Sequence, residues 1–401
     1  MAKRLITHTI VNREDDVLYV AKPKEDWSPR EVEDVISDLE NKQHEYIIQS
    51  KEGLETPLIV VNHPKGKYLR SKADSTEDNN LDNLKPLPAQ YRLPVYLGNH
   101  PSDRESDWVS NIQGVTHSQD HWIFTQITRI LKFHVTTNLN SNKNKAVAYR
   151  GMPQELKELG CNHFGDPDYK VVNGQGYIFI PVEGEGEARK EPRLAVFKDD
   201  DELSYVGETT MPKQNKDLGT ARAGWVAFNP LDDLLYSSTN QVTESFPIFR
   251  YRVDFDQLEQ GVVSIEAESD FRLFNANGDT YKIAKYMQGG CFAPNGMLYI
   301  SNGKESHNEK EGGLHLFLPS GEILFRSSLN RGPFKYEYES NFVHRQEPEG
   351  ITYWDLDSLP ENLKAPKISG QLHAVLLNNN TLSDDAVFFK HYRVTQAEAW
   401  K

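Results

Sequence analysis

Six side chains suited to proton transfer or metal binding occur close to glycines in the part of the chain after residue 110. They are two histidines and four carboxylates: His117, His163, Asp166, Asp168, Glu347 and Glu349. An imidazole can act as a general base, and carboxylate oxygens are ligands that calcium prefers. We therefore predict that His117 and His163 are catalytic and that the four carboxylates bind a hard divalent cation through their oxygens.

Each of these residues also has a structural alternative. Both histidines could instead hydrogen-bond neighbouring strands, and Asp166 and Asp168 flank Pro167 in an ordinary Asp-Pro-Asp turn. Glu349 is harder to assign to structure alone, because it directly precedes an apolar segment and a lone buried carboxylate is costly. We expect a metal, a histidine or backbone N–H groups to satisfy it.

Two cysteines and four tryptophans allow further alternatives. Cys161 and Cys291 each follow a glycine and are predicted to be packed thiols, with a Cys161–His163 nucleophile pair as the alternative. The tryptophans either pack between sheets or stack on sugar rings. They are Trp108, Trp122, Trp225 and Trp354.

The segments that must position these residues repeat along the chain. Five units each begin with a glycine and a short apolar strand, at Gly114, Gly160, Gly224, Gly290 and Gly350. Repeats of about 60 residues, made of strands joined by hairpin-type turns, are typical of a β-propeller. We predict a mainly β fold with five blades, or six because the middle units are long. Loops from every blade meet at the channel mouth, so the histidines and carboxylates are expected to meet there.

Closure of the propeller is a separate prediction. Tyr91–Gly98 has the pattern of a strand and precedes the first unit, whereas the last unit lacks a fourth strand after Phe388–Val394. We therefore expect the early strand to complete the last blade and to tie the two ends of the propeller together.

Short motifs in these units resemble known propeller families. Glu347–Ile351 (E-P-E-G-I) resembles a segment of phytase-like propellers, and Pro294–Asn302 (P-N-G-M-L-Y-I-S-N) resembles a strand of gluconolactonase-like propellers of the NHL and SMP-30-like type. The resemblance implies that Glu349 is a calcium ligand, although Ala223–Ala227 offers no polar group at the same place in the third unit. The longer pattern G-V-T-H, C-N-H-F-G-D-P-D-Y and F-K-H-Y-R-V, within residues 110–395, is similar to a poorly characterised bacterial propeller family.

Residues 1–90 are predicted to form a separate small α+β domain. Ser28, Pro29 and Glu31 indicate the start of a helix, and apolar residues at helical spacing follow from Val32 to Leu39. Strands are expected at Arg4–Val11, Tyr46–Gln49, Leu58–Asn62 and Lys67–Arg70. The polar segment Asp74–Asn83 and the prolines after it place the boundary near residue 90, so that residues 91–401 form the propeller.

The end of this first domain carries a recognisable signature. The segment from K-Y-L-R-S through N-L-D-N-L-K-P-L-P resembles a small bacterial domain of unknown function, marked by a KYLRT-like strand and a DNLDNLP-like ending. The resemblance covers about the first 88 residues and implies no activity.

Composition excludes several classes of function. The chain has 401 residues and a net charge of −14, so it would repel nucleic-acid phosphates. Its apolar runs are too short to span a membrane, and no apolar stretch follows the basic N-terminus, so we predict no signal peptide. With only two cysteines, the expected location is cytoplasmic.

Two main functions remain. The first is a binding or recognition module for a protein or small ligand, with the N-terminal domain as a tether. The alternative is a calcium-dependent ester or lactone hydrolase acting at the channel mouth, with His117 or His163 as base. Carbohydrate binding through the tryptophans is a third hypothesis, and the sequence does not decide whether the protein is an enzyme.

Overall fold

The computed structural model describes most of the chain, in two compact units. The described residues are 2–11, 17–22, 25, 27–28, 30–49, 53–64, 66–72, 81, 84–86, 93–102, 104–105, 108–140, 146–184, 192–212, 223–275, 277–283, 286–303, 312–327, 334–336, 345–379 and 386–395. One unit comprises Met1–Tyr96, Leu324–Glu337 and Arg393–Lys401, and the other Leu97–Ile323 and Tyr338–Tyr392. Strands predominate, so the predicted mainly β class is confirmed. The boundary predicted near residue 90 lies outside the described residues.

The N-terminal part of the first unit contains two sheets and a helix. In chain order its elements are β1 (Ala2–Ile6), β2 (His8–Val11), β3 (Val17–Ala21), β4 (Arg30–Glu31), α1 (Val32–Glu40), β5 (His44–Gln49), β6 (Glu55–His63), β7 (Gly66–Ser71) and β8 (Lys85–Pro86). The strand orders are β1-β5-β6-β7 and β4-β3-β2-β8. The apolar face of α1 packs with residues of the first sheet in one core that includes Val35, Tyr46 and Leu58.

Helix α1 begins at Val32, so the predicted start at Ser28 is wrong. The Ser28 hydroxyl instead accepts the Lys22 N–H at 2.8 Å, and Glu31, the residue before the helix, makes no capping bond. The helix is anchored from its side, because the buried Asp38 carboxylate accepts bonds from Arg30 at 2.7 and 2.8 Å. A local capping pattern was outweighed here by a tertiary ion pair.

The remaining strands form five sheets of mainly antiparallel neighbours, after the short strands β9 (Leu93–Asn99) and β10 (Arg104–Glu105). The first sheet is β11 (Ile112–His117), β12 (His121–Gln126), β13 (Arg129–His134) and β14 (Ala148–Gly151). The second is β15 (Cys161–Phe164), β16 (Asp168–Val172), β17 (Gln175–Gly184), β18 (Arg193–Lys198) and β19 (Tyr205–Thr210). The third is β20 (Val226–Phe228), β21 (Leu235–Ser237), β22 (Phe249–Val253) and β23 (Ile265–Ala267).

The fourth sheet is β24 (Met287–Phe292), β25 (Leu298–Asn302), β26 (Gly313–Phe317) and β27 (Ile323–Arg326). The fifth is β28 (Arg345–Tyr353), β29 (Leu372–Asn379) and β30 (Ala386–Thr395), to which β9 and β10 are added beside β30. Two short helices, α2 (Gln154–Glu158) and α3 (Phe255–Glu259), and a 3₁₀ turn at Glu361–Leu363 lie in connections.

Five glycines mark the place where the first strands of the sheets meet: Gly114, Gly165, Gly224, Gly289 and Gly350. A Cβ added to any of them would come closer than 3.0 Å to backbone of the next sheet. The contacts run in a cycle, from Gly165 to the Gly224 carbonyl, from Gly224 to the Met287 carbonyl, from Gly289 to Gly350, from Gly350 to Gly114 and from Gly114 to Asp166. Sheets whose first strands crowd around one axis in this way form a propeller fold.

Two of the five glycines that mark the units in the sequence do not lie at the backbone contact between first strands. Gly160 has a φ of +82° and follows α2, where its N–H bonds to the Lys157 carbonyl at 2.9 Å. It therefore ends a helix, and Gly165 takes the place on the ring. In the fourth sheet that place belongs to Gly289 rather than Gly290.

The predicted completion of the last blade is confirmed, because β9 (Leu93–Asn99), which covers most of the predicted strand Tyr91–Gly98, pairs with β30. A second short strand lies in the same sheet. Strand β10 pairs with β30, with Arg104 opposite Val387 and Glu105 opposite Ala386. Next to it, His100 donates to the Phe389 carbonyl at 2.8 Å. Residues separated by more than 280 positions along the chain are thus hydrogen-bonded neighbours.

We predict that Gly165→Ala lowers the free energy of unfolding by about 3 kcal/mol, because its methyl group would collide with the Gly224 carbonyl, a rigid backbone atom. Gly151→Ala is the matched control, because a Cβ there meets nothing within 4 Å, and its effect should stay within about 0.5 kcal/mol. Urea denaturation of both variants measures the difference. Equal midpoints would contradict the close approach of the first strands.

Candidate functional site

A cavity of about 400 Å³ lies where the first strands of the five sheets meet. Each sheet contributes to its wall, through residues such as Gln113, His163, Gly224, Gln288 and Glu347. The predicted convergence of distant segments on one opening is therefore present in the second unit.

Polar residues reach this cavity because four of the first strands are irregular at the same level. The register of β11 skips Gln113, that of β15 skips Asn162, that of β24 skips Gln288, and that of β28 shifts across Glu349. All four residues line the cavity. A bulge interrupts the regular alternation of side chains along a strand and changes the direction of one of them. The four irregularities therefore bring polar side chains together at one opening.

The lining is acidic. Glu183, Glu347 and Glu349 contribute three carboxyl groups, and no lysine or arginine is found among the lining residues that the structure describes. Glu347 accepts a hydrogen bond from the Gln288 amide at 2.9 Å. Glu347 and Glu183 both act electrostatically on Glu349, so the three carboxyl groups belong to one site.

Glu349 is the exceptional member of this group. The residue is only 2% exposed, and within the described part of the chain its side chain forms no hydrogen bond or ion pair. Burial, followed by the charges of Glu347, Asp166 and Glu183, raises the pKa of Glu349 well above its usual range. None of the expected partners, whether histidine or backbone N–H, satisfies this carboxyl group among the described residues.

His163 also lines the cavity. Its Nε2 lies 2.6 Å from the Gln113 side-chain oxygen, which can only accept, so Nε2 carries the proton. His163 lies opposite Glu183 in the pairing of β15 with β17. Glu183 was not predicted as a site residue, although its place at the end of a strand facing His163 would have indicated it once the register of that hairpin was known.

Asp166 lies behind the cavity and ties all five sheets together. Its carboxylate accepts backbone N–H bonds from Val115 at 2.9 Å, Gly290 at 3.2 Å and Ile351 at 3.1 Å. Its own N–H donates to the Gly224 carbonyl at 2.8 Å. Burial raises the pKa of Asp166 well above its usual range, and the three N–H donors oppose this shift.

Asp168 is similarly occupied by backbone groups. It accepts the N–H of Tyr169 at 2.8 Å and that of Phe228 at 2.6 Å. Burial raises the pKa of Asp168 to about 6. Gly114 and Gly165 both lie where the first strands meet. Counted from these glycines, Asp168 is the positional counterpart of His117, because each follows its glycine by three residues.

His117 is held by backbone carbonyls rather than placed in the cavity. Its Nδ1 lies 2.8 Å from the Ser118 carbonyl oxygen and its Nε2 lies 3.0 Å from that of Tyr353. The ring stacks on Trp354 with 4.5 Å between centroids. Burial lowers the pKa of His117 to about 4.

The structure thus gathers part of the predicted site. His163, Glu347 and Glu349 line one cavity, whereas His117, Asp166 and Asp168 do not. The residues do not fit the implied calcium ion, because two of the four proposed ligands already accept backbone N–H bonds. In the described ranges, no three His, Cys, Asp or Glu side chains form a group able to hold a metal.

The cysteines and tryptophans pack in apolar surroundings. Both cysteines are buried, and burial raises the pKa of the Cys161 thiol to about 11, which disfavours a nucleophilic thiolate. Trp122 and Trp225 are fully buried, and Trp108 and Trp354 are nearly so. None of the four is available to stack on a sugar.

Comparison with known protein families gives a match at the N-terminus. A family described as a protein of unknown function (DUF3892) matches residues 6–85. The predicted resemblance of this region to a small domain of unknown function is therefore confirmed. No curated protein matches the sequence.

Several solved structures are similar over most of the chain. A tail fibre of Staphylococcus aureus phage P68 shares 15% identity at a TM-score of 0.39, covering 77% of this chain and 54% of that one. Our chain thus spans about half the length of the fibre protein. A GH43_1 enzyme from Xanthomonas citri complexed with xylotriose shares 10% identity at a TM-score of 0.41, covering 75% and 90%.

A GH43 endo-arabinanase from Bacillus licheniformis shares 12% identity at a TM-score of 0.37, covering 72% of this chain and 95% of that one. Similarity at this level assigns neither an activity nor a ligand to our chain. Among the described residues, no helix combines the length and the apolar character needed to cross a bilayer.

We predict that Asp166→Asn lowers the free energy of unfolding by about 3 kcal/mol. An amide offers one acceptor oxygen and would turn an NH₂ group towards backbone N–H donors, leaving buried donors unsatisfied. Asp201→Asn, at an exposed position, is the matched control and should change stability by less than about 0.5 kcal/mol. If urea midpoints of the two variants coincide, Asp166 does not hold the sheets together.

The lowered pKa of His117 predicts a specific loss of stability in acid. The folded state favours the neutral ring, so stability is complete above the ordinary pKa of about 6.5 and is lost as the pH falls towards 4. The advantage of the native protein over His117→Gln should shrink by up to about 3 kcal/mol between pH 6.5 and 4. If the difference in stability between the native protein and His117→Gln grows as the pH falls, the ring is instead an imidazolium that donates to both carbonyls.

Proposed function

We propose that this protein is a ligand-binding module, a five-bladed propeller whose acidic cavity takes a small polar ligand. The observation that carries the proposal is Glu349, a buried carboxyl group in the cavity wall without a partner in the described part of the chain. Burial of an unpaired polar group destabilises a fold. A ligand that pairs with the carboxyl group of Glu349 therefore explains its position better than a purely structural role does.

The shape of the site supports small-molecule binding. A cavity of about 400 Å³ falls within the usual range of ligand pockets, which is roughly 300–1,000 Å³. Its polar groups stand at bulges of strands that are fixed by Asp166 and by the close-packed glycines, so the site is preformed. Preformed sites lose little entropy when a ligand binds.

The hydrolase alternative receives less support from the same geometry. His117 faces two carbonyls, and Asp166 and Asp168 are occupied by backbone N–H groups. Of the residues predicted to be catalytic or to bind a metal, His163 and the two glutamates are the ones that line the cavity. The resemblance to phytase-like and gluconolactonase-like propellers, and the calcium ion that it implies, stay predictions. The N-terminal domain is proposed as the tether of the binding unit.

We predict that Glu349→Gln abolishes or strongly weakens binding of whatever small polar compound the protein recognises. A thermal-shift screen of amines, sugars, amino acids and metal ions on the full chain identifies that compound, because a ligand that binds only the native state raises the melting temperature. Glu202→Gln, at an exposed site outside the cavity, is the matched control and should respond as the native protein does.

Two results would overturn this proposal. One is the absence of any stabilising compound across the four classes. The other is turnover of an ester or lactone that calcium stimulates and that Glu349→Gln removes, because the cavity would then be the active site of a hydrolase.

A further inference from the structure

We propose that the cavity binds an uncharged ligand through an amide group, either a lactam or a primary carboxamide, and that the carboxyl group of Glu349 recognises it by donating one hydrogen bond and accepting another. This assignment rests on the proposed binding function and names the chemical class of the ligand. It follows from the polar groups of the lining that have no partner among the described residues, and from the donors and acceptors that these groups carry.

Glu349 meets the ligand as a neutral carboxylic acid. The residue is 2% exposed, and its side chain forms no hydrogen bond or ion pair with a described residue. An ionised carboxylate that is removed from water needs a cation or N–H donors. Burial, followed by the charges of Glu347, Asp166 and Glu183, accordingly raises the pKa of Glu349 well above its usual range. The group therefore has an O–H donor as well as an acceptor oxygen.

The other two carboxyl groups of the lining already have partners. Glu347 accepts a hydrogen bond from a glutamine amide at 2.9 Å, and Glu183 also has an interaction partner. By contrast, the side-chain amides of Asn162 and Asn240, which line the same cavity, form no hydrogen bond with a described residue. These two amides and the neutral acid are uncharged, and each combines a donor with an acceptor. The ligand groups that pair with them completely do the same.

An amide matches the neutral acid at both of its polar atoms. A lactam or a primary carboxamide carries a C=O and an N–H side by side, as the acid carries its O–H and C=O, so two parallel hydrogen bonds form between the two groups. A hydroxyl group has its donor and its acceptor on one atom and makes one such bond at a time. Pairing both halves of the acid leaves neither of them buried and unsatisfied.

Charged ligands satisfy only one half of the acid. An ammonium donates only and leaves the O–H of Glu349 unpaired, whereas a carboxylate accepts only and leaves the C=O unpaired. Each unpaired group in a buried site carries a desolvation penalty. A calcium ion requires six to eight oxygens, and in the described ranges no three His, Cys, Asp or Glu side chains form a group able to hold a metal.

Ligand-observed NMR titrations of the full chain test this assignment, because small fragments bind weakly. The compounds are 2-pyrrolidone, N-methyl-2-pyrrolidone, butylammonium, butyrate and xylose. We expect 2-pyrrolidone to bind. N-methyl-2-pyrrolidone keeps the ring and the C=O but has no N–H, so it should bind at least 10-fold more weakly, and so should the other three compounds.

Three variants isolate the contribution of Glu349. Glu349→Met removes both the donor and the acceptor and should abolish binding of 2-pyrrolidone. Glu349→Gln should weaken it at least 10-fold, because an N–H donor replaces the stronger O–H and a second N–H is added where the native side chain has no described partner. Glu202→Gln, at an exposed site outside the cavity, is the matched control and should leave the affinity unchanged. Thermal unfolding verifies that the variants are folded.

The pH dependence of binding has a defined sign. 2-Pyrrolidone does not titrate, so its affinity should stay constant while Glu349 is protonated and fall as the pH rises through the raised pKa of this group. The other titratable groups that act on Glu349 or line the same cavity are Asp166, Glu183, Glu347 and His163. Any dependence that they cause remains in Glu349→Gln, so the difference between the two proteins belongs to Glu349.

The outcomes separate the amide from the proposed function. Equal affinity for the two pyrrolidones overturns the amide, because the N–H would then be irrelevant. Affinity that rises with pH in the native protein but not in Glu349→Gln also overturns it, because the ionised group would then be the partner. Binding of butylammonium, butyrate or xylose that depends on Glu349 while 2-pyrrolidone fails keeps the binding module and overturns the amide.

Failure of all five compounds overturns the amide as well. The amino acids of the thermal-shift screen include asparagine and glutamine, which carry a carboxamide. If that screen is also negative, the proposed function falls together with the amide.

Discussion

The propeller depends on one aspartate at its centre. The side chain of Asp166 accepts N–H bonds from the first, fourth and fifth sheets, and its backbone bonds to Gly224 and Val226 at the start of the third. Because Asp166 itself precedes β16 in the second sheet, one residue links all five. First strands have no hydrogen-bonded neighbour on their inner side, so buried N–H groups there need an acceptor from elsewhere. The two oxygens of this one carboxylate accept three such N–H bonds.

The close approach of the first strands to Asp166 also determines which side chains line the cavity. Strands can approach Asp166 only where they carry glycine, and the polar residues Gln113, Gln288 and Glu349 directly precede three of these glycines. The bulges that bring the backbone N–H groups towards Asp166 also turn the preceding side chains towards the opening. The same two or three residues of each strand therefore provide both the backbone contact with Asp166 and the polar side chain at the cavity.

Sequence patterns predicted the strands better than the site. The strands predicted at Tyr46–Gln49, Leu58–Asn62 and Lys67–Arg70 lie within β5, β6 and β7, because their residue pattern is local information. His117 and His163 each follow a unit glycine by three residues but do not take equivalent places in the fold, because Gly160 ends a helix instead of contacting a neighbouring first strand. A glycine supports either a positive φ or a close backbone approach, and a single sequence does not show which one applies.

The roles of the acidic residues could not be separated from sequence for a related reason. Asp166 and Glu349 both stand beside a ring glycine, so residue type and spacing assign them the same chemistry. They differ only in whether N–H groups of other sheets point at them, and this depends on segments as distant as Val115 and Ile351. The signal that distinguishes a structural carboxylate from a ligand-binding one is therefore entirely non-local.

The shared fifth sheet has a consequence for how this protein is made. Strand β10 can pair with β30 only after all the residues between them have been synthesised, so the sheets formed by those residues precede the pairing that closes the last sheet. Contacts between such remote segments slow folding, because a long loop must close before they form. Until β30 is made, β10 presents an unpaired strand edge, and such edges favour aggregation.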